Sequence, residues 1–353
     1  MCYKNIGIGQ HYLADTLKRS KIGSNSLVLK EGIMADNEKP SVLIAYGGNA
    51  LNVKDHGKVH QKEEFIIARR SMVNVVDLLE AGYGKIVITH GNGPQVGRIF
   101  YQQELTHNEF PRQVMLDVCV ADSQGRIGYI LQNLFDNICV ERGINKKTST
   151  VITQVTVDPD DPAFQNPTKP IGVFYSEKDA KKLIAERDWV MKDDAGRGWR
   201  RIVPSPLPVE IVEKKIFIEL LKMDFIAIGA GGGGVPVIRN QKGEIRGVEA
   251  VIDKDSTSAL LASEIGIDIF VILTEVDYVY LNFNTPLQKK LKNVKVDELE
   301  TYMEQGHFLE GSMKPKIEAV ISFIRNGGKR AIIANLFKLL PAVEGKTGTQ
   351  IIL

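Results

Sequence analysis

The stretch VIDKDSTSALLA, residues 251–262, sets Asp253, Lys254 and Asp255 side by side between an apolar strand-like run and an apolar helix-like run. Two chemistries fit. Asp255 is a natural N-cap for the helix that STSALLASEIG predicts, with Lys254 simply solvated; alternatively, Lys254 handles a phosphate and Asp255 positions it. A second lysine bears on the choice. In GSMKPK, residues 311–316, Gly311 and Ser312 open a helix and Lys316 falls in its first turn. An ammonium group there opposes the helix dipole unless an anion is bound at the same N-terminus.

Three glycine loops point the same way. YGGNAL (46–51), HGNGPQVG (90–97) and GAGGGGVPV (229–237) each follow an apolar strand directly. In an open α/β sheet, ligands bind at the carboxyl ends of strands, and glycine lets backbone N–H groups approach an anion closely. One such loop is explained by a tight turn alone; three at three strand ends predict a phosphate or carboxylate pocket. Other motifs fall away. Gly91, Gly93 and Gly97 are spaced one residue too widely for a dinucleotide fingerprint, and EGKTG (344–348) lacks the earlier P-loop glycine, Leu340 standing there. His56 and His60 lack the glutamate of a zinc-protease helix, and no Ser-His-Asp grouping supports a hydrolytic nucleophile.

These loops need strands and helices to hold them. From Ser41 onward, short β-branched runs alternate with longer helical patterns, which predicts an α/β class. Strands are expected at 41–46, 85–90, 224–230, 268–274, 330–334 and 349–353, and helices at 63–82, about 115–141 and 315–328. In the 117–141 region Val118, Val120, Ile127, Leu131 and Leu134 are either buried core or a subunit contact. Residues from about 155 to 206, rich in proline, aspartate and basic side chains, break the rhythm and predict an inserted lid subdomain in preference to a second domain. Residues 1–39 form an N-terminal extension expected to be disordered, with no signal-peptide core. Its excess of Lys4, Lys18, Arg19, Lys21 and Lys30 over Asp15 and Glu31 leaves a weak targeting role open, while Met34 reads as a natural start.

Composition narrows the class further. The 353 residues are 43% apolar and 25% charged with a net charge of +2, which gives no reason to expect nucleic acid or an anionic membrane as partner. No apolar run is long enough to predict a membrane span. Cys2, Cys119 and Cys139 lack CxxC spacing and fit a reducing cytoplasm better than a disulfide framework.

Read in order, GGNAL, HGNGPQVG, DVCVADSQGRIGY (117–129), NPTKPIG (166–172), DAGRGWRRIVPSP (194–206), GGGGVPV, VIDKDSTSALLA and GSMKPK resemble the carbamate kinases, a branch of the amino-acid kinase superfamily. The likeness spans roughly 40–353. Its departures are mild: Tyr46 precedes the glycine pair where a small or aliphatic residue is usual, and Val173 stands where proline is common. The resemblance implies a three-layer α/β/α sandwich with a mainly parallel sheet and a protruding lid, assembled as a cytoplasmic homodimer. It implies reversible phosphoryl transfer between carbamoyl phosphate and ADP, giving ATP and carbamate, with Mg2+ held through the nucleotide phosphates. Fermentative arginine or purine-derived catabolism is the implied setting. By position, Lys254 and Lys316 match the lysines that neutralise the moving phosphoryl group, and Asp255 the aspartate that organises them. Gly47, Gly48, Asn49, Gly91, Asn92, Gly93, Lys169, Gly231, Gly232 and Gly233 match the phosphoryl and carbamate contacts. Asp253, Thr274, Asp277, Tyr280 and Met313 match the nucleotide side, although Asp277 also reads as a turn residue and Tyr280 as core.

Two rivals stand beside this reading. One is a kinase of the same superfamily acting on an amino-acid carboxylate or on UMP, against which NPTKPIG and HGNGPQVG argue. The other is a non-catalytic nucleotide-binding protein, which would not need Lys169, Lys254, Asp255 and Lys316 together.

Overall fold

The computed structural model describes residues 39–47, 61–106, 109, 115–194 and 196–353. Gly48, Asn49, the His56 and His60 pair and residues 1–38 of the N-terminal extension lie outside the described residues.

The frame is an eight-stranded sheet. Its strands run Asn293–Lys295, Thr349–Ile352, Arg330–Asn335, Ile269–Thr274, Val42–Tyr46, Ile86–His90, Phe225–Ile228 and Lys147–Thr150 in spatial order. All neighbours are parallel except Arg330–Asn335 with Thr349–Ile352. Parallel strands are covered on both faces, and this sheet shows why. Successive side chains point to opposite sides. Leu43, Ala45, Val87, Phe270 and Ile272 join one core with Ala259, Leu261, Ile317, Val320 and Phe323. Val42, Ile44, Tyr46, Ile86, Ile88 and Val271 join another with Met72, Val75, Leu131 and Phe135. The result is a three-layer α/β/α sandwich.

Helices Gln61–Glu80 and Leu116–Arg142 cover the second face, and Lys254–Glu264 and Lys314–Arg325 the first. Their ends follow local chemistry. Leu116–Arg142 stops at Gly143, whose φ of 68° lets its N–H turn back to Cys139 and Val140 carbonyls. Of the residues left open between core and surface, Val120, Ile127, Leu131 and Leu134 are buried, whereas Val118 is exposed.

The segment 155–206 is less of an island than its composition predicts. Its first strand, Gln154–Val157, belongs to a four-stranded sheet with Pro208–Ile211, Val235–Arg239 and Ile245–Gly247. Only Lys169–Tyr175, Met191–Asp193 and Trp199–Val203 form a sheet of their own, with helix Glu177–Arg187. That unit shares a core with the body: Ile171, Ala180, Trp189, Met191 and Val203 pack with Val96, Phe100, Leu116 and Val120. Arg201 is held between the rings of Phe100 and Trp189 and pairs with Glu249 at 2.8 Å.

Val42–Tyr46, first among the described strands, lies mid-sheet between Ile269–Thr274 and Ile86–His90. The chain order therefore reverses there, at the position where open α/β sheets leave a crevice beyond their strand ends. Gly91 N donates to Tyr46 O at 3.0 Å and Gly229 N to Ile88 O at 3.0 Å, keeping neighbouring strand ends in line as the loops begin. Tyr46 itself turns away from that crevice. It is buried, and its hydroxyl donates to Ser71 O at 3.0 Å.

Candidate active site

Helix Lys254–Glu264 is capped by Asp253, not by Asp255. The Asp253 carboxylate accepts from Asp255 N at 2.9 Å and Ser256 N at 3.3 Å, and its backbone is extended (φ −69°, ψ 128°), as a cap requires. Asp255 lies inside the first turn, and its carboxylate is free for another task. Lys254 donates to one of its oxygens and Lys316 to the other, the latter at 2.9 Å. Neither lysine is solvated, their side chains being 13% and 18% exposed.

The second lysine arrives from helix Lys314–Arg325. That helix begins at Lys314 after a tight turn in which Lys314 N donates to Leu309 O, so Gly311 and Ser312 precede it and do not open it. Lys316 remains in the first turn. Two helix N-termini, each carrying a lysine, thus meet at one carboxylate.

Burial by itself would push the Asp255 carboxyl up, but the Lys254 and Lys316 ammonium groups outweigh it and hold the carboxyl down at about 2. One negative charge stands between two positive ones. The surplus positive charge and both helix dipoles favour an anion at this point.

Beside the lysines opens a cleft of about 370 Å³. Gly47, Lys254, Thr274, Tyr280, Met313 and Lys316 line it, so candidates for both the phosphoryl and nucleotide ends share one wall. Tyr280 stacks at a tilt against Phe283, ring centroids 5.8 Å apart, giving the cleft an aromatic flank. Glu275, Phe283, His307 and Leu309 also line it and were not singled out by sequence; of these only Glu275 stands within the run 273–282 that carries the nucleotide candidates Thr274 and Tyr280.

Asp277 follows Val276, which lines the cleft. Both its oxygens lie 3.1 Å from Lys338 Nζ on the surface, and it is not among the cleft-lining residues. Asp253 also stays off the cleft wall and instead accepts from Lys169 Nζ at 3.2 Å, tying the three-stranded unit to the helix cap.

Gly91, Asn92, Gly93 and Gly231–Gly233 do not line the cleft, and of these Gly233 packs against the Ile252–Asp253 backbone. Gly233 packs so closely on Ile252 O that an added Cβ would lie 2.2 Å away, and one on Gly232 would lie 2.0 Å from Asn92 Nδ2. Gly232 also has a φ of 67°, so both space and backbone select glycine. Asn92 is buried and donates to Ser123 Oγ at 2.8 Å. His90, buried at the strand end, has its ring against Gly231.

No group of three or more His, Cys, Asp or Glu among the described residues is arranged to hold a metal ion. Asp255 has both oxygens engaged by ammonium groups. This donor set fits a divalent cation that arrives on nucleotide phosphates better than one caged by protein side chains.

Known proteins resemble this chain over most of its length. The profile of the amino acid kinase family matches residues 40–335. The carbamate kinase of Pyrococcus horikoshii is 51% identical over 312 residues, which span 88% of this chain and 98% of that relative. That of Pyrococcus furiosus is 49% identical over 314 residues, spanning 88% and 98%. Among solved structures, a carbamate kinase from Giardia lamblia bound to AMP-PNP superposes with a TM-score of 0.83 at 41% identity, covering 89% of this chain and 98% of that one.

Proposed function

The chain belongs to the amino acid kinase family, in its carbamate kinase branch, and from that premise we infer that it transfers a phosphoryl group reversibly between carbamoyl phosphate and ADP, giving ATP and carbamate. The observation that carries the reading is the pair of ammonium groups on one buried carboxylate, facing a nucleotide-sized cleft. The AMP-PNP held by the Giardia lamblia relative supports a nucleotide as one of the substrates.

The proposed roles follow from charge. A phosphoryl group moving between anionic oxygens needs little covalent help, and positioning with well-placed cations supplies most of the acceleration. Lys254 and Lys316 neutralise the moving group, and Asp255 fixes their separation and keeps both protonated. Unit charges at ~4 Å attract by roughly 4 kcal/mol at an intermediate dielectric, before desolvation is subtracted. Lys169 leaves Asp253 to meet the carbamoyl end, and Gly47, Gly91, Asn92, Gly93 and Gly231–Gly233 form the floor beneath it. Gly48 and Asn49, which follow Gly47 in sequence, are assigned to the same substrate. Thr274, Tyr280 and Met313 hold the nucleoside. When bound, Mg2+ would screen the nucleotide phosphates. Carbamate leaves and decays to ammonia and CO2.

The proposal extends to setting and assembly. Residues 40–353 make up the kinase domain, with the three-stranded unit acting as its lid. Exposed Val118, Tyr129 and Val140 on helix Leu116–Arg142, with Ile66 on its neighbour, support a homodimer. Buried free Cys119 and Cys139 suit a cytoplasmic enzyme, and no described helix is long and apolar enough to cross a membrane. ATP supply from arginine or purine-derived catabolism is the setting we assign.

The deciding experiment measures ATP formed from carbamoyl phosphate and ADP, alongside ATP consumption with glutamate, aspartate or UMP as acceptor. We expect turnover with the first pair only. Turnover with another acceptor but not with carbamoyl phosphate would overturn the reading, as would nucleotide binding without any turnover.

A further inference from the structure

One turn of helix Leu116–Arg142 carries Ser123 and Gln124, 0% and 1% exposed, among the apolar Val120, Ile127 and Leu131. Burying a hydroxyl and a primary amide is costly unless their hydrogen bonds are made. Here they are made to the two substrate loops. Gln124 Oε1 accepts from Thr153 N at 2.8 Å, while Nε2 donates to Thr153 O at 3.2 Å and to Gly231 O at 3.0 Å. Ser123 Oγ donates to Val120 O at 2.6 Å and accepts from Asn92 Nδ2 at 2.8 Å. Because its only proton goes to Val120 O, the atom that Asn92 offers must be the amide nitrogen. The Asn92 orientation is thereby fixed from behind.

The location explains the need. Lys147–Thr150 and Phe225–Ile228 are parallel neighbours in the large sheet, and their continuations Gln154–Val157 and Val235–Arg239 are parallel neighbours in the second sheet. Between the sheets the ladder is interrupted, across Val151–Thr153 on one side and Gly229–Gly234 on the other. Orphaned backbone groups there need partners. Gln124 supplies the partner of Thr153 N and adds a second donor to Thr153 O and Gly231 O, which also accept from Val235 N and Gly234 N, and Thr153 Oγ1 accepts from Ala230 N at 2.9 Å. A single helical turn therefore grips the loop at Asn92 and the loop at Gly231, and Asn92 lies directly on Gly232.

We propose that Ser123 and Gln124 are positioning residues that set the spacing of the Gly91–Gly93 and Gly231–Gly233 loops, and through it the affinity for the carbamoyl phosphate end of the reaction. The proposal rests on reading those loops as the floor for that substrate. Neither side chain lines the nucleotide cleft, so ADP should not sense the change.

The test is steady-state kinetics on the full chain and on Ser123→Ala, Ser123→Thr and Gln124→Met, with thermal melts alongside. Ser123→Ala and Gln124→Met should each raise KM for carbamoyl phosphate about tenfold, the scale of one lost hydrogen bond, with KM for ADP within about twofold. Ser123→Thr keeps the hydroxyl and should stay within about threefold of the parent. A parallel rise in both KM values, or unchanged KM values in a folded Ser123→Ala, would overturn the proposal. Loss of folding in Ser123→Ala would assign the hydroxyl to stability alone and overturn it too; if only Gln124→Met fails to fold, Ser123→Ala decides. A parent chain that does not turn over carbamoyl phosphate would sink the functional reading instead, which keeps the two failures apart.

Discussion

Lys316 reaches Asp255 across 61 positions of sequence, Nζ to Oδ2 at 2.9 Å, while Lys254 takes the other oxygen of the same carboxylate. The carboxylate is 2% exposed. Its position prevents the two ammonium groups from repelling one another apart, yet it leaves them with a net positive charge. That imbalance is tolerable in a pocket whose working partner is a phosphoryl group, and it ties the chemistry of the site to the packing of two helices.

Lys254→Ala and Lys316→Ala should each lower kcat by at least about 10²–10³, the usual effect of removing one preorganised donor. Both should remain folded, since each side chain leaves the cores intact and its loss relieves surplus charge. Near-parent turnover in either purified variant would remove that lysine from the mechanism.

Asp255→Asn and Asp253→Asn should part company. An asparagine at 253 caps as well as aspartate, so that variant should melt close to the parent and keep most of its turnover. At 255 the amide cannot balance two ammonium groups, and breaking such a buried arrangement costs about 3–5 kcal/mol. Chemical denaturation and kcat should therefore both collapse for Asp255→Asn. If Asp253→Asn is the more damaging of the two, the assignment of cap and anchor is reversed.

That pair also marks where sequence reading stops. Two cap-forming residues stand two positions apart, and only the backbone path, extended at Asp253 and helical at Asp255, selects between them. Lys316 was legible because a lysine in a first turn is electrostatically costly without an anion. The pairing of Asp277 with Lys338, 61 residues onward, was not, since nothing local announces it. Six of the eight strands of the large sheet announce themselves as apolar runs, three of them ending in glycine, whereas the short polar Lys147–Thr150 and Asn293–Lys295 do not. The second sheet does not, because Gln154–Val157 and Val235–Arg239 are defined by pairing across a long stretch of chain. Ser123 and Gln124 did leave a trace: two polar residues on the apolar face of a long helix, within a motif whose resemblance was noted without a role.

Lys169→Ala should separate binding from folding. Its side chain is 42% exposed and its pair with Asp253 spans 3.2 Å, so the contact contributes at most about 1 kcal/mol to stability. A thermal melt should hardly move. KM for carbamoyl phosphate should rise about tenfold if the ammonium group contacts the substrate, the scale of a lost charged hydrogen bond. Unchanged KM in the variant would confine Lys169 to the helix cap.

Acid should expose His90. The residue is 1% exposed, and burial above all pushes its imidazole down to about 4; the contact with Gly91 O works against this, and Lys254, the smallest influence, adds to it. In the unfolded chain the same ring titrates near ~6.5. Between those values the unfolded state binds the proton and the native state does not, so stability falls as pH falls. The contribution is complete above about pH 6.5 and has gone by about pH 4, a loss on the order of 3 kcal/mol. Asp255, held at about 2, stays ionised throughout this window and does not confuse the measurement. Urea midpoints for the parent should drop steadily between pH 7.5 and 5, and His90→Gln, which has no ring to protonate, should show a distinctly shallower decline. Equal slopes in the two proteins would mean that His90 protonates as easily when folded as when unfolded, and that the strand end beside the glycine loops is open to water.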